Sequence, residues 1–185
     1  MDETTFRARM MSADRNLKAG DISAALADAD ALRVALLAEP VVDGDQHCWA
    51  LYYTLRAQHG LERWTDVVAL MEEYGALLAP IGSQNHAFGA SLTMEAVVRA
   101  GRLELLPKWA VTCFVERLRT GDGESFGQAV QTALALANMA APSEQTERRA
   151  EVFDALVQAA EQVEMLGLAE QARDQAAELR GTTPS

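Results

Sequence analysis

The chain has 185 residues, 49% of them apolar, and a formal net charge of -11. That is enough for one domain with a packed core or for one short repeat array, and too apolar for wholesale disorder. The acid is spread evenly, -6 over residues 1–90 and -5 over the rest; this excludes a nucleic-acid partner or an anionic membrane surface, because both need clustered Lys and Arg.

Alanine and leucine dominate, and isoleucine occurs only at Ile22 and Ile81, a balance that favours helix over strand. Phe6, Met10, Ala13 and Leu17 form a helical stripe over residues 5 to 19. Gly20-Asp21 then stops that helix and starts another, since glycine tolerates the left-handed conformation and aspartate can cap. The stripe resumes at Ile22, Ala25, Leu26, Ala29 and Leu32 and runs to about Leu37, before Pro40. Trp49, Leu51, Tyr52 and Leu55 mark a third helix that ends at Gly60. Trp64, Val67, Val68, Met71 and Tyr74 mark a fourth, ending before Pro80. Phe88, Leu92, Met94, Val97 and Val98 mark a fifth, ending at Gly101. Leu103, Leu106, Trp109, Ala110 and Phe114 mark a sixth, in which Pro107 predicts a late start or a kink. Residues 121–125, GDGES, read as a loop, and a seventh helix covers about 125 to 140. Pro142-Ser143 opens an eighth, with Ser143 as its cap, running to Leu166. Gly167 is expected to break it, and a ninth helix runs to Leu179. Residues 1–180 are expected to form a single helical domain, and the tail 181–185, GTTPS, is expected to be disordered. No segment alternates at period two, so no strand is predicted.

The breaks at Gly20, Gly60, Gly101 and Gly167 are separated by 40, 41 and 66 residues, the last interval holding two units of 33. A helical hairpin that recurs at such intervals is the signature of an α-solenoid. The fold class expected is therefore all-α, an array of antiparallel helical hairpins or an irregular bundle of about nine helices.

Few residues carry chemistry. The three histidines, His47, His59 and His86, have neither the i, i+4 spacing nor the third ligand that a metal site needs, and no cofactor is implied. Cys48 and Cys113 fall inside apolar helical patterns and read as buried free thiols of a reducing compartment. Glu72-Glu73, and Glu161 with Glu164, read as solvated faces, because acid–base work requires a buried carboxylate. No nucleophile elbow or phosphate-binding glycine loop occurs, so no enzymatic role is assigned. The N-terminus MDETTFRARM has two early acids and no apolar stretch, unlike a secretory signal, and no run approaches a membrane span, so a cytoplasmic location is expected. Only Lys18 and Lys108 are lysines, and this Ala- and Arg-rich composition suggests a GC-rich bacterial source.

The stretch LKAGDISAALADADAL resembles the centre of a tetratricopeptide repeat (TPR), where Gly-Asp, an aliphatic residue and Ala-Leu join two helices. AEQARDQAAEL resembles a second, degenerate unit, and HGLERWTDVVALMEEY and AGRLELLPKWAVTCF are weaker matches with altered turns. The first and last units lack the family's helix-A pattern of Trp, Leu-Gly and Tyr, so the resemblance implies a TPR-like hairpin array more than a regular superhelix. It also implies a concave groove lined by the first helix of each unit. Aligned on the glycine turns, that groove would take Met10 and Asp14 from the first unit, Trp49, Tyr52 and Arg56 from the second, and Phe88, Ser91, Glu95 and Arg99 from the third. Trp, Tyr and Arg are frequent anchors of protein interfaces. The function expected is a protein-binding module with a basic protein partner: an immunity or antitoxin protein that blocks a cognate toxin, or alternatively a secretion chaperone or adaptor. A homodimer, or a helical bundle with a small-molecule pocket near Trp49, His86 and Trp109, are the other readings.

Overall fold

A computed structural model describes residues 2–38, 44–75 and 83–181. Among these residues the chain is all-helical, without strands. Nine α-helices follow one another: α1 (Glu3–Ala19), α2 (Ile22–Leu37), α3 (Gly44–Gly60), α4 (Trp64–Tyr74), α5 (Ser83–Arg99), α6 (Leu106–Thr120), α7 (Gly123–Ala137), α8 (Gln145–Gln162) and α9 (Leu166–Arg180). None is long and apolar enough to cross a membrane.

Local chemistry sets several of the boundaries. Asp2 caps α1 by accepting from the Thr5 amide at 2.9 Å. Gly20 closes α1 at φ 79°, and Asp21 caps α2 through the Ala24 amide at 3.1 Å. This is the Gly-Asp device read from the sequence, a left-handed stop followed at once by a new cap. Gly121-Asp122 repeats it between α6 and α7: Gly121 is left-handed at φ 67° and Asp122 accepts from Ser125 at 3.1 Å. The expected GDGES loop is therefore shorter, because α7 begins at Gly123. Pro107 sits in the first turn of α6, behind a 3-10 turn over Leu103–Leu105, so this helix starts late and is not kinked.

Other boundaries differ from the expectation. Helix α3 ends at Gly60 as expected, but Gly60 itself is helical and the left-handed residue of the α3–α4 turn is Glu62, at φ 57°. Gly60 is small for a different reason: a Cβ there would lie 3.2 Å from Ile22 Cγ2, where α3 approaches α2. Gly167 does not break a helix; it lies in the first turn of α9, and Glu164 at φ 62° makes the turn after α8. Ser143 does not cap α8, which begins two residues later at Gln145. There the Gln145 side-chain Nε2 donates to the carbonyls of Asn138 and Ala140 at 3.0 and 3.1 Å, tying α8 back to the end of α7. Gly181 closes α9 in the left-handed conformation, so the helical unit extends to it, while residues 182–185 of the expected tail lie outside the described residues. Pro40 and Pro80 also lie outside them.

Each helix packs against its neighbours in sequence, and α1 packs on α3, α3 on α5 and α5 on α7. These odd-numbered helices form one layer; on the other side α6 packs on α8, which α9 covers. The main core runs from α3 to α9 and includes Leu51, Leu55, Met71, Met94, Phe114 and Val152, each at most 2% exposed. Three small clusters join α1 and α2 to α3. Their centres are largely alanine, with Ala13, Ala25, Ala29, Ala50 and Ala57 fully buried, which brings these helices close together. Buried Thr54 and Thr93 donate to the carbonyls four residues back, Ala50 at 3.0 Å and Gly89 at 2.8 Å, so neither hydroxyl is left unsatisfied.

Candidate functional site: the aromatic face of the odd-numbered helices

Helix α3 has two sides. Cys48, Leu51 and Leu55 point into the main core. Trp49, Tyr52, Arg56 and His59 form the adjoining stripe and are half-buried, with Tyr52 also packing against the main core. Their spacing of three and four residues puts them on one face of the helix. Trp49 and Tyr52 meet edge-to-face with centroids 5.8 Å apart, and Tyr53 lies 5.4 Å from Tyr52. The Arg56 guanidinium sits 5.5 Å from the Tyr52 ring centre, a cation–π geometry.

The neighbouring helices extend this stripe. On the α5 side, Phe88 stands 5.3 Å from Tyr52. Glu95 Oε2 lies 3.1 Å from His59 Nε2, and Glu95 Oε1 lies 3.5 Å from Arg99 Nε. On the α1 side, Met10 packs with Trp49 along a groove of about 410 Å³ whose other walls are Phe6 and Met11, rimmed by Glu3 and Arg7. Asp14 accepts from Lys18 Nζ at 2.6 Å and from the Tyr53 hydroxyl. Burial first, and then the Asp14 carboxylate, push Tyr53 above the usual phenol range. Facing residues keep a steady register. Asp14 and Tyr53 are 39 residues apart, while Tyr52 and Phe88, and His59 and Glu95, are each 36 apart. The layer thus advances by one hairpin per step.

Contacts join eight of the nine residues expected on the groove, Met10, Asp14, Trp49, Tyr52, Arg56, Phe88, Glu95 and Arg99, in one run across α1, α3 and α5; the ninth, Ser91, is half-buried on α5. Tyr53 and His59 were not expected there. His59 continues the Trp49, Tyr52, Arg56 spacing, but the partners of both residues, Asp14 and Glu95, lie a whole hairpin away.

The charge on the face is organised. Asp14 and Glu95 are both engaged by neighbouring donors or cations. Among the described residues Arg56 is paired with no carboxylate. The four helices of this layer, α1, α3, α5 and α7, together hold six Lys or Arg against five Asp or Glu. The excess acid of the chain therefore lies elsewhere, as on α4 with Asp66, Glu72 and Glu73.

The other chemically capable groups do not assemble on this face. His86 Nδ1 lies 3.5 Å from Glu116 Oε1 between α5 and α6, and Arg119 holds the same carboxylate at 2.9 Å. Cys113 is near them in sequence, but burial pushes its thiol up to about 11 and its Sγ donates to the Ala87 carbonyl at 3.5 Å, so it is a neutral packing thiol. Trp109 is 4% exposed in the main core, whereas Trp49 packs with the α1–α2 clusters. Glu72, Glu73, Glu161 and Glu164 are all exposed.

The chain matches no protein-family model, no curated protein and no solved structure.

Proposed function

We propose that this chain is a protein-docking module whose partner lies across α1, α3 and α5. The observation that supports this most directly is the continuous band of half-buried aromatic rings and methionine, ended by paired charges, that the three helices build together. Rings of this kind offer large contact area with little side-chain entropy to lose, and guanidinium over tyrosine is a common feature of interface anchors. The steady 36- to 39-residue register supports a TPR-like array, with a period somewhat longer than the ~34 residues of that family. In this reading the chain has no catalysis of its own. Its first candidate role is that of a bacterial immunity protein covering a cognate toxin in the cytoplasm; an export chaperone or adaptor would use the same face.

The test is capture with the immobilised protein from a lysate of its source, followed by reconstitution of the purified pair. The Trp49→Ala, Arg56→Ala double variant, shown to be folded by circular dichroism, is the control. One stoichiometric protein that the variant fails to hold is the expected result. If that protein is an enzyme silenced on binding, the immunity role follows; an export substrate gives the chaperone role. A partner held equally by the variant would move the interface to another face.

A further inference from the structure

We propose that the segment received by this face is an acidic amphipathic one, opposite in sign to what the net charge of the whole chain suggests. The inference rests on the docking reading above and names the chemistry of its partner. Three observations carry it. The whole chain is at -11, yet the layer of α1, α3, α5 and α7 is nearly balanced, six basic against five acidic side chains. The acids at the centre of the face are already engaged, Asp14 by Lys18 and Tyr53, and Glu95 by His59 and Arg99. Arg56 is held half-buried over Tyr52, between them, with no carboxylate among the described residues.

Charges act on a docking segment through what remains unpaired at short range, because solvent and salt screen the rest within about 10 Å. An arriving lysine would find only carboxylates that already have cations. An arriving carboxylate would find the free side of the Arg56 guanidinium, beside rings and a methionine-lined groove that accept an apolar side chain. Apolar residues along one side of the segment and Glu or Asp flanking them fit both features. The acid-rich α4 lies outside this face and would repel the same segment, which favours docking on the odd-numbered helices.

The probes are three synthetic amphipathic peptides of about 18 residues, a length of about five helical turns. They share one leucine stripe, are blocked at both ends, and carry Glu, Gln or Lys on the polar side. Binding is read by anisotropy of a labelled peptide and by amide shifts of the intact protein. The Glu peptide is expected to bind about fivefold tighter than the Gln peptide and tighter still than the Lys peptide, a ratio typical of one partly exposed charge pair. Its shifts should map to α1, α3 and α5. Arg56→Gln should erase the preference without altering the helical spectrum, and Arg56→Lys should restore part of it. A Lys peptide that binds as well as the Glu peptide on the same amides would overturn the proposed sign and leave the docking face standing. The same holds for a preference that survives Arg56→Gln. If none of the peptides shifts α1, α3 or α5, the proposal and the docking reading fall together.

Discussion

His47 is 4% exposed, its Nε2 has no partner among the described residues, and its ring lies 5.7 Å from Tyr74, over which Arg33 also sits. Burial first, and the nearby Arg33 charge second, hold its pKa below the ordinary 6.5. The consequence for stability has a definite sign. Above that value both folded and unfolded chains carry neutral imidazole. As pH falls below it, the unfolded chain takes the proton first, so stability is lost until the lowered folded pKa is reached. Melting curves between about pH 7.5 and 5.5 should therefore show a falling midpoint that flattens in His47→Gln. An equal slope in the variant would mean that other groups govern the decline. Phe114 tests packing at the same scale. It is fully buried against Phe126, with centroids 6.1 Å apart, and Phe114→Ala should cost about 3–5 kcal/mol, seen as a lower denaturant midpoint with an unchanged slope.

Two glycines show how the helices are joined. Gly20 is left-handed at φ 79° with open space around a would-be Cβ, so Gly20→Ala carries only the backbone penalty, about 1 kcal/mol. Gly60 is the reverse: its backbone is helical, and alanine there should gain about 1 kcal/mol of propensity but press on Ile22 Cγ2 at 3.2 Å. A double-mutant cycle of Gly60→Ala with Ile22→Ala should then show coupling above about 0.5 kcal/mol, with alanine at 60 better tolerated once Ile22 is truncated. Additive effects would assign the glycine to something other than this contact. The pair also marks how far local chemistry reaches. Gly20, Gly101 and Gly121 could be read directly, because each sits where a left-handed residue is required. At the α3–α4 and α8–α9 turns the left-handed residues are Glu62 and Glu164, types whose identity does not announce that conformation, so glycine spacing finds the end of α3 at Gly60 but not its turn residue, and misplaces the α8–α9 break at Gly167. The candidate face was legible for a similar reason. Trp49, Tyr52 and Arg56 share a stripe through spacing alone, and turn alignment brought in the residues of α1 and α5. His59 extends the same spacing, but what it and Tyr53 pair with is not legible, because Asp14 and Glu95, which hold them, become neighbours only after the hairpins stack.

Across the whole molecule, the hairpins are not equally anchored. The main core is continuous from α3 to α9, whereas α1 and α2 are joined to α3 by three small, alanine-centred clusters. In a stacked array stability is close to a sum of neighbouring interfaces, so the end with the thinnest interface opens first. Native-state hydrogen exchange should accordingly give α1 and α2 a lower opening free energy than α5, α6 and α8. Phe6 is 4% exposed at the centre of one of those clusters, together with Leu32 and Leu36. Phe6→Ala should remove about 3 kcal/mol or more from the protection of α1–α2 while leaving α6 and α8 unchanged, whereas Val152→Ala should lower protection in the main core. The candidate face depends on this weakest joint, because Met10 and Asp14 come from α1. A partner lying across α1, α3 and α5 binds only the closed array, so its affinity adds directly to the closing of α1–α2. Added at a hundredfold excess over its Kd, it should raise protection there by about 2.7 kcal/mol and change α8 far less. One common exchange free energy for every helix, with or without partner, would show that the array opens as a single cooperative unit and that α1 is no separate gate to the face.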